Sequence, residues 1–368
     1  GDWYRSIYIA ICTLIITCPC ALALAVPIVQ VVAARRLFEN GIMIKDGSAM
    51  ERMAEVDTAV FDKTGTLTLG QPRLIDAERT NPHHLEIASE LSLYSRHPLS
   101  RALALFSGAK PMTPFTRIEE IPGAGIEAEL NGTTYRLGKR EWANGAVDAI
   151  HSDGPETCLS INGKLAETFR FEDQPREDAA AAIGTLKRNG LKLEIISGDK
   201  LPAVKKLAAY LGVDQYRGEV LPADKAQLVQ SLTAEGRKVL MVGDGLNDAP
   251  ALVAAHVSMA PATAADIGRN AADFVFLRES LAAVPLAFAV SKEAGRLISQ
   301  NFALSIGYNI IAVPIAIFGY VTPLVAALSM SLSSIVVVSN AMRLRAGKQK
   351  QQAQTTVAPA VVLKEAHK

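Results

Sequence analysis

The chain has 368 residues, of which 49% are apolar, and its formal net charge is only +1. This composition excludes a disordered chain, a collagen-like chain and a strongly basic nucleic-acid binder. Four cysteines are too few for a disulfide scaffold. The charge is unevenly distributed, because residues 6–34 and 297–342 contain no Asp, Glu, Lys or Arg. The sequence therefore predicts a soluble region of two to three domains with membrane segments at both ends.

Both uncharged runs are long enough to cross a membrane, since a helix needs about 20 apolar residues to do so. The run in residues 1–36 predicts one span. The run in residues 296–345 predicts two spans joined by a tight turn at residues 319–323. A buried core helix does not account for 46 consecutive uncharged residues. Basic residues follow or flank each run, so the positive-inside rule predicts a multi-pass protein of the cell (inner) membrane with a cytoplasmic middle region.

Strands, loops and helices alternate through the middle region, which is typical of a doubly wound parallel α/β sheet. The predicted strands are residues 57–61, 191–196 and 238–242, and each ends in a loop that contains Asp. Ligands of such sheets bind at the carboxyl ends of the strands. We therefore expect these loops to form one site.

Short alternating strands and turns interrupt this pattern in residues 73–168, which we expect to form an inserted α+β domain. The sheet domain then comes from residues 37–72 and residues 169–295. The tail, residues 346–368, is polar and Gln-rich, and we expect it to be disordered.

The strongest motif is Asp62-Lys63-Thr64-Gly65-Thr-Leu-Thr, which follows the first predicted strand. An Asp at a strand end can attack a phosphoryl group in line and form an aspartyl phosphate. The transferred group carries dispersed negative charge, so such a site needs cations and hydrogen-bond donors. A lone Asp would more often cap a helix or a turn, and the interpretation depends on the groups that accompany it.

Those groups occur later in the chain. Asp244 and Asp248 supply the carboxylates that a Mg²⁺ site needs. Lys225 is placed to contact the phosphoryl oxygens. The loop after the second strand supplies further donors and reads Ser197-Gly198-Asp199. Together these elements predict phosphoryl transfer.

These motifs resemble those of P-type ATPases, within the haloacid dehalogenase superfamily, over residues 8–345. The resemblance implies that ATP phosphorylates Asp62, with Lys63 in the same motif. The Mg²⁺ ligands that it implies are Asp62, Asp244, Asp248 and the backbone carbonyl of Thr64. Asn247 matches a polar residue on the hinge side of the family's site. The loop that begins at Ser197 ends in Lys200, where Asn is commoner in the family.

Cys18-Pro19-Cys20 lies inside the first predicted span. Pro19 breaks helical regularity, so both sulfurs can turn toward one ligand, and thiolates suit Cu(I) or Zn(II). Alternatively, the two cysteines serve only as small buried apolar side chains. The short loop between them disfavours a disulfide. We expect Cys12 and Cys158 to be ordinary packing residues.

A C-P-C motif before D-K-T-G-T resembles the heavy-metal (type IB) P-type ATPases. Tyr308 and Asn309 lie in the first helix of the hairpin; Met330, Ser333 and Ser334 share one face of the second. Methionine sulfur and phenol or amide oxygens suit a monovalent soft ion, whereas Zn(II) would favour a carboxylate or lysine. The resemblance to the Cu(I) subgroup implies transported Cu(I), or Ag(I), at Cys18, Cys20, Tyr308, Asn309, Met330 and Ser334.

The inserted domain carries Ser-Arg96-His97-Pro98-Leu, which resembles the S-E-H-P-L motif whose His orients ATP. Gly123-Ala-Gly125 resembles the glycine turn under the nucleotide. The residues that the resemblance assigns to ATP are His97, Pro98, Gly123, Gly125, Gly138, Asp173 and Arg176. Arg96 replaces the usual Glu, and Ser92 stands where an adenine-side Glu is frequent, so the adenine contacts stay open.

The hairpin residues also resemble one bacterial subgroup that supplies copper for assembly of cytochrome cbb3-type oxidase. The expected partners are the lipid bilayer, ATP, copper and a copper chaperone. The sequence contains no Thr-Gly-Glu motif and opens at Gly1, so we expect a carboxyl-terminal fragment that cannot turn over alone. The alternatives are a Zn or Cd pump of the same class, an anchored phosphatase, and a non-catalytic copper-holding fragment.

Overall fold

The computed structural model describes residues 3–108, 110, 113–144, 154–245, 247–264 and 266–355, with side chains to residue 344. The helices are α1 Trp3–Ile16, α2 Cys20–Glu39, α3 Ala49–Glu55, α4 Pro82–Ser92, α5 Pro98–Ser107, α6 Arg140–Asn144, α7 Ala179–Arg188, α8 Leu201–Leu211, α9 Pro222–Ala234, α10 Ala249–Ala254, α11 Asp266–Ala271, α12 Ala283–Ile317 and α13 Pro323–Thr355. The strands are β1 Ile42–Ile44, β2 Thr58–Asp62, β3 Thr68–Ile75, β4 Arg117–Ile121, β5 Gly125–Leu130, β6 Thr133–Gly138, β7 Glu156–Ile161, β8 Lys164–Pro175, β9 Lys192–Ile196, β10 Gln215–Arg217, β11 Val239–Val242, β12 Val257–Pro261 and β13 Phe274–Phe276.

The chain forms two compact units, and the first combines the described parts of residues 1–56 and 283–355 with Asp273–Glu279. Three segments of this unit, Trp3–Glu39, Ala283–Ile317 and Pro323–Leu344, are long and apolar enough to cross a membrane. The expected first span is interrupted, because α1 ends at Ile16 and α2 begins at Cys20. Pro19 lacks the N–H that a continuous helix would need there.

Small side chains allow the membrane helices to approach closely. Ala21, Ala25, Val29 and Ala33 recur every four residues on α2 and are buried. Ala21 and Ala25 pack with Val337 of α13. Because lipid is as apolar as these helices, such close packing of small residues is what holds membrane helices together.

The second unit contains Asp57–Ala272 and a short segment at residues 280–282. Its parallel strands run in the order β12-β11-β2-β9-β10. Every residue of β2 is buried, as expected for a central strand covered on both faces. Side chains from α9 and α10, including Val229 and Leu252, pack on Val60 and Met241 of the sheet. The predicted doubly wound α/β fold is confirmed.

The antiparallel sheet of this unit has six strands in the order β3-β8-β7-β6-β5-β4. Its core joins Leu91 of α4 and Leu103 of α5 to Phe169 and Phe171 of β8. The first and last strands of this sheet along the chain, β3 and β8, pair with each other. Their pairing has a register shift between Thr68 and Pro72. The sheet therefore begins at Thr68, close to the loop that follows Asp62.

Candidate functional site

Three carboxylates meet at the carboxyl edge of the parallel sheet. Asp62 ends β2, and Asp244 and Asp248 lie in the loop between the neighbouring β11 and α10. One oxygen atom from each of these carboxylates lies within 4.8 Å of the others. The edge gathers them because the carboxyl ends of parallel strands all point the same way.

Lys225 bridges two of the carboxylates. Its Nζ donates to Asp62 Oδ1 at 2.6 Å and to Asp248 Oδ1 at 2.7 Å, and all three side chains are buried. Burial by itself lowers the pKa of Lys225, but the two carboxylates outweigh it and raise that pKa above its usual range. Lys225 is therefore a permanent cation at neutral pH.

The single positive charge of Lys225 does not balance the three carboxylates of the cluster. Burial, followed by the nearby charge of Asp248, raises the pKa of Asp62 to about 7, while Lys225 opposes the rise. Asp248 Oδ2 is buried and has no hydrogen-bond partner among the described residues. An orphaned carboxylate oxygen beside two further carboxylates fits Mg²⁺, which takes oxygen ligands in octahedral geometry.

The loop after Asp62 is held by Arg176. The Arg176 backbone N–H donates to the Leu67 carbonyl at 3.0 Å. Its guanidinium donates to the carbonyls of Thr66 at 2.8 Å and Gly65 at 3.0 Å, and the side chain is buried. Gly65 has φ +72°, and a Cβ there would lie 2.8 Å from Asp244 Oδ2. Arg176, which the resemblance assigned to ATP, thus contacts the loop backbone.

Lys63, from the same loop, points to the neighbouring strand end. It is buried and forms an ion pair with Asp199. The backbone N–H of Asp199 donates to Ser197 Oγ at 3.1 Å. Gly198 is exposed between them. Thr64 is also exposed, with its Oγ1 3.4 Å from Asp199 Oδ2.

Asp173 and Asn247 lie in β8 and in the loop before α10, respectively. Asp173 Oδ2 accepts a hydrogen bond from Thr68 Oγ1, whereas its Oδ1 is buried without a partner among the described residues. Burial raises the pKa of Asp173. Asn247 is exposed in the loop before α10.

Of the residues assigned to the nucleotide, His97, Pro98 and the three glycines lie in the antiparallel part of the unit. His97 caps the N-terminus of α5, where its Nδ1 accepts from the Leu99 N–H at 3.3 Å. His97 and Pro98 are exposed, as is Arg96. Ser95 Oγ donates to Glu120 Oε1 at 2.6 Å, which ties this turn to β4.

The three candidate glycines differ in their surroundings. Gly123 has φ +78° and open space where a Cβ would be. Gly125 and Gly138 face each other across the β5–β6 pair. A Cβ on Gly125 would lie 2.6 Å from Gly138 Cα and 2.8 Å from the Trp142 ring. Gly123 alone leaves room for a ligand, whereas the other two are required by protein packing.

The C-P-C residues occupy the break between α1 and α2, and both thiols are half-buried. Just before the break, Ile16 packs against Ala316 and Ala326. Just after it, Ala21 packs against Val337. The sulfurs therefore lie at the level of α13 that contains Met330 and Ser334, which are also half-buried.

On α12, Tyr308 lies in the same packing group as Ile16, and its hydroxyl is 3.2 Å from Ser329 Oγ. Asn309 Oδ1 is buried and has no hydrogen-bond partner among the described residues. Ser334 Oγ donates to the Met330 carbonyl at 3.3 Å. Cys12, in contrast, donates to the Val321 carbonyl and is fully buried.

The sequence analysis did not identify Asn301, which is fully buried within the membrane unit. Its Nδ2 donates to the Ala25 carbonyl at 3.3 Å, and its Oδ1 accepts from Asn340 Nδ2 at 2.9 Å. It thereby joins α2, α12 and α13. The available signal was an amide inside an otherwise apolar span, which is costly without a partner.

The haloacid dehalogenase-like hydrolase family matches residues 56–256 of the chain. Nitrogen fixation protein FixI of Rhizobium meliloti (strain 1021) is 54% identical over 348 residues, which cover 94% of this chain and 45% of that protein. A copper-exporting P-type ATPase of Staphylococcus aureus (strain JH9) is 36% identical over 94% of this chain and 45% of its own length. The chain spans about half the length of these relatives.

Two solved structures are also similar. A zinc-transporting PIB-type ATPase in the E2.Pi state superposes with TM-score 0.82 at 28% identity, covering 94% of this chain and 59% of that one. The catalytic CPx-ATPase domain CopB-B superposes with TM-score 0.58 at 30% identity, covering 70% of this chain and 98% of that domain. The chain therefore belongs to the haloacid dehalogenase-like hydrolases. Over 94% of its length it is similar to a zinc-transporting P-type ATPase of the PIB type, the type that the motifs indicated.

Proposed function

We propose that Asp62 accepts the terminal phosphoryl group of ATP. The observation that carries this proposal is the sharing of the Lys225 ammonium between Asp62 and Asp248 at the sheet edge. Asp62 Oδ attacks phosphorus, the bond to the leaving ADP oxygen breaks, and an acyl phosphate forms on Asp62. Lys225, together with donors from the loop at Ser197 and Gly198, would stabilise the charge that develops on the transferred group.

Asp62, Asp244 and Asp248 would hold Mg²⁺, with the Thr64 carbonyl as a further ligand. The ion supplies charge neutralisation for the phosphoryl oxygens. Asp248, which accepts the second hydrogen bond from Lys225, keeps this lysine in place. Arg176 fixes the loop carbonyls and so orients Asp62. The exposed turn at His97 and the open side of Gly123 supply the surface for ATP.

The test is labelling with γ-³²P-ATP and Mg²⁺, followed by acid quenching. We expect an acid-stable, hydroxylamine-labile phosphoenzyme that Asp62→Asn abolishes. Asp224→Asn is the matched control, because Asp224 is exposed next to Lys225. Labelling that survives in Asp62→Asn, or none in the wild type with Mg²⁺ and a transported ion, would contradict the proposal. Phosphoenzyme formation is the appropriate readout because the chain spans about half of its relatives.

We further propose that the transported ion is Cu(I), with Ag(I) as its chemical equivalent. The proposed ligands are the sulfurs of Cys18, Cys20 and Met330, and the oxygens of Tyr308 and Asn309, with Ser334 beside Met330. The unpartnered buried Oδ1 of Asn309 supports this ligand set, since buried polar atoms are normally satisfied. Soft sulfur ligands and no carboxylate favour Cu(I) over Zn(II).

A divalent ion is the second candidate, because the superposed PIB-type structure is described as zinc-transporting. Phosphoenzyme formation with Cu(I), Ag(I) and Zn(II) separates the two. We expect stimulation by Cu(I) and Ag(I), lost in Cys18→Ser and Cys20→Ser and kept in Cys12→Ser. Stimulation by Zn(II) alone would assign the divalent ion.

The similarity to FixI proteins and the subgroup resemblance support a role in copper supply to a cbb3-type respiratory oxidase, with a copper chaperone as donor. Deletion of the encoding gene should lower copper-dependent oxidase activity. Excess copper in the medium should restore it. Unchanged oxidase activity would exclude this role without affecting the phosphorylation proposal.

A further inference from the structure

A cavity of about 780 Å³ lies in the membrane unit, between α2, α3 and α12. Its volume is in the range of small-ligand sites, roughly 300–1,000 Å³. Val26 and Phe302, from the uncharged runs, line its apolar side. Four charged residues also line it, together with small and polar residues such as Gly295 and Ser299. The cavity therefore lies where the uncharged part of the helices meets the charged part. That position is the boundary between hydrocarbon and headgroups.

Two cations on α12 face this cavity without a protein counter-ion. Lys292 and Arg296 are one turn apart and exposed, and no carboxylate among the described residues forms an ion pair with either. Like charges at this spacing destabilise a helix. The Lys292 ammonium lies 5.0 Å from the Phe288 ring centroid, which keeps it near the helix surface. The pair is arranged to bind an anion.

Two acids line the cavity from a different helix. Glu51 and Glu55 are one turn apart on α3. Glu51 Oε1 accepts a hydrogen bond from Gln30 Nε2 at 2.9 Å, which fixes its position. The cavity thus has a basic wall, an acidic wall and an apolar side. A ligand that matches all three carries an anion, a cation and a hydrocarbon chain.

We propose that this cavity binds a phosphatidylethanolamine headgroup. The phosphodiester contacts Lys292 and Arg296, the primary ammonium contacts Glu51 and Glu55, and an acyl chain follows the apolar side. Basic pockets at the cytoplasmic ends of membrane helices bind lipid phosphates. Phosphatidylglycerol offers no ammonium, and phosphatidylcholine offers no N–H donor to the glutamates. The acidic wall therefore selects the ethanolamine headgroup.

The test is lipid retention by the purified chain after exchange into vesicles that hold equal amounts of dioleoyl phosphatidylethanolamine, phosphatidylglycerol and phosphatidylcholine. Retained lipid is counted by native mass spectrometry. The Lys292→Gln/Arg296→Gln variant should retain at least tenfold less phosphatidylethanolamine. The charge-matched control is Arg35→Gln/Arg343→Gln, at the same end of the membrane helices, and should retain it fully.

A second variant tests the acidic wall. Glu51→Gln/Glu55→Gln should reverse the preference from phosphatidylethanolamine to phosphatidylglycerol, by about tenfold. Equal retention of all three lipids by the wild type, or equal losses in both basic variants, would overturn the proposal and leave only a general positive surface. Full displacement of the lipid by soluble glycerophosphoethanolamine would assign the cavity to a soluble solute and would overturn it as well.

Discussion

Replacing Asp62 with Asn should stabilise the Mg²⁺-free protein at alkaline pH, although it removes the proposed nucleophile. The pKa of Asp62 rises from 3.8 to about 7 in the folded state. At pH 8 this rise corresponds to an unfavourable contribution of about 4 kcal/mol, at 1.36 kcal/mol per pKa unit. Asn carries no charge, so the variant avoids this unfavourable contribution. Since Lys225 keeps Asp248 as a partner, we expect a gain of about 2–4 kcal/mol.

The pH dependence of this gain follows from the same numbers. Between pH 3.8 and about 7 the folded state holds a proton on Asp62 that the unfolded state has released, so stability falls as the pH rises. Below this window the contribution disappears, and above it the full penalty applies. The advantage of Asp62→Asn should therefore be about 2 kcal/mol smaller at pH 5.5 than at pH 8.

The assay is thermal unfolding followed by the fluorescence of Trp142, in a Trp3→Phe background and with a chelator present. For a unit of this size, 1 kcal/mol shifts the Tm by about 2–4 °C, so we expect a rise of about 5–15 °C at pH 8. Added Mg²⁺ should stabilise the wild type more than the variant, because the ion favours charged Asp62. An unchanged Tm at pH 8, or equal shifts at both pH values, would refute the reasoning.

Four further variants test the remaining contacts. Arg176→Ala removes two charge-assisted hydrogen bonds, so it should destabilise the soluble unit by about 3 kcal/mol and lower phosphoenzyme formation at saturating ATP. Gly138→Ala places a Cβ 2.3 Å from a backbone oxygen and should abolish folding, whereas Gly123→Ala should fold at a cost of about 1 kcal/mol and weaken ATP binding in calorimetry. Asn301→Leu should lower the free energy of unfolding in detergent by about 1 kcal/mol.

The sequence was sufficient for features that depend on local pattern and strand direction. Three buried strands that each end in an Asp-containing loop must bring those loops together if the strands are parallel. That rule predicted the fold class and placed Asp62 beside Asp244 without any knowledge of distances.

Features that depend on long-range packing were beyond the sequence. The guanidinium of Arg176 bonds to carbonyls about 110 residues earlier in the chain, and no local pattern encodes that contact. The same holds for Gly125, which needs a missing side chain because Gly138 and Trp142 occupy the space. In both cases the residue type was recognised from the motif, but the contact that requires it appears only in the folded chain.

The two proposed sites meet opposite electrostatic demands. At the sheet edge, three carboxylates crowd around one lysine, so the chemistry depends on added positive charge and responds to pH and Mg²⁺. Within the membrane helices a fixed carboxylate would be costly, and the proposed ion ligands are thiols, a thioether and neutral oxygens. Ion selection therefore depends on ligand softness rather than on charge. Substitutions at Cys18 or Met330 should change which ion stimulates phosphorylation, while the pH dependence set by Asp62 stays the same.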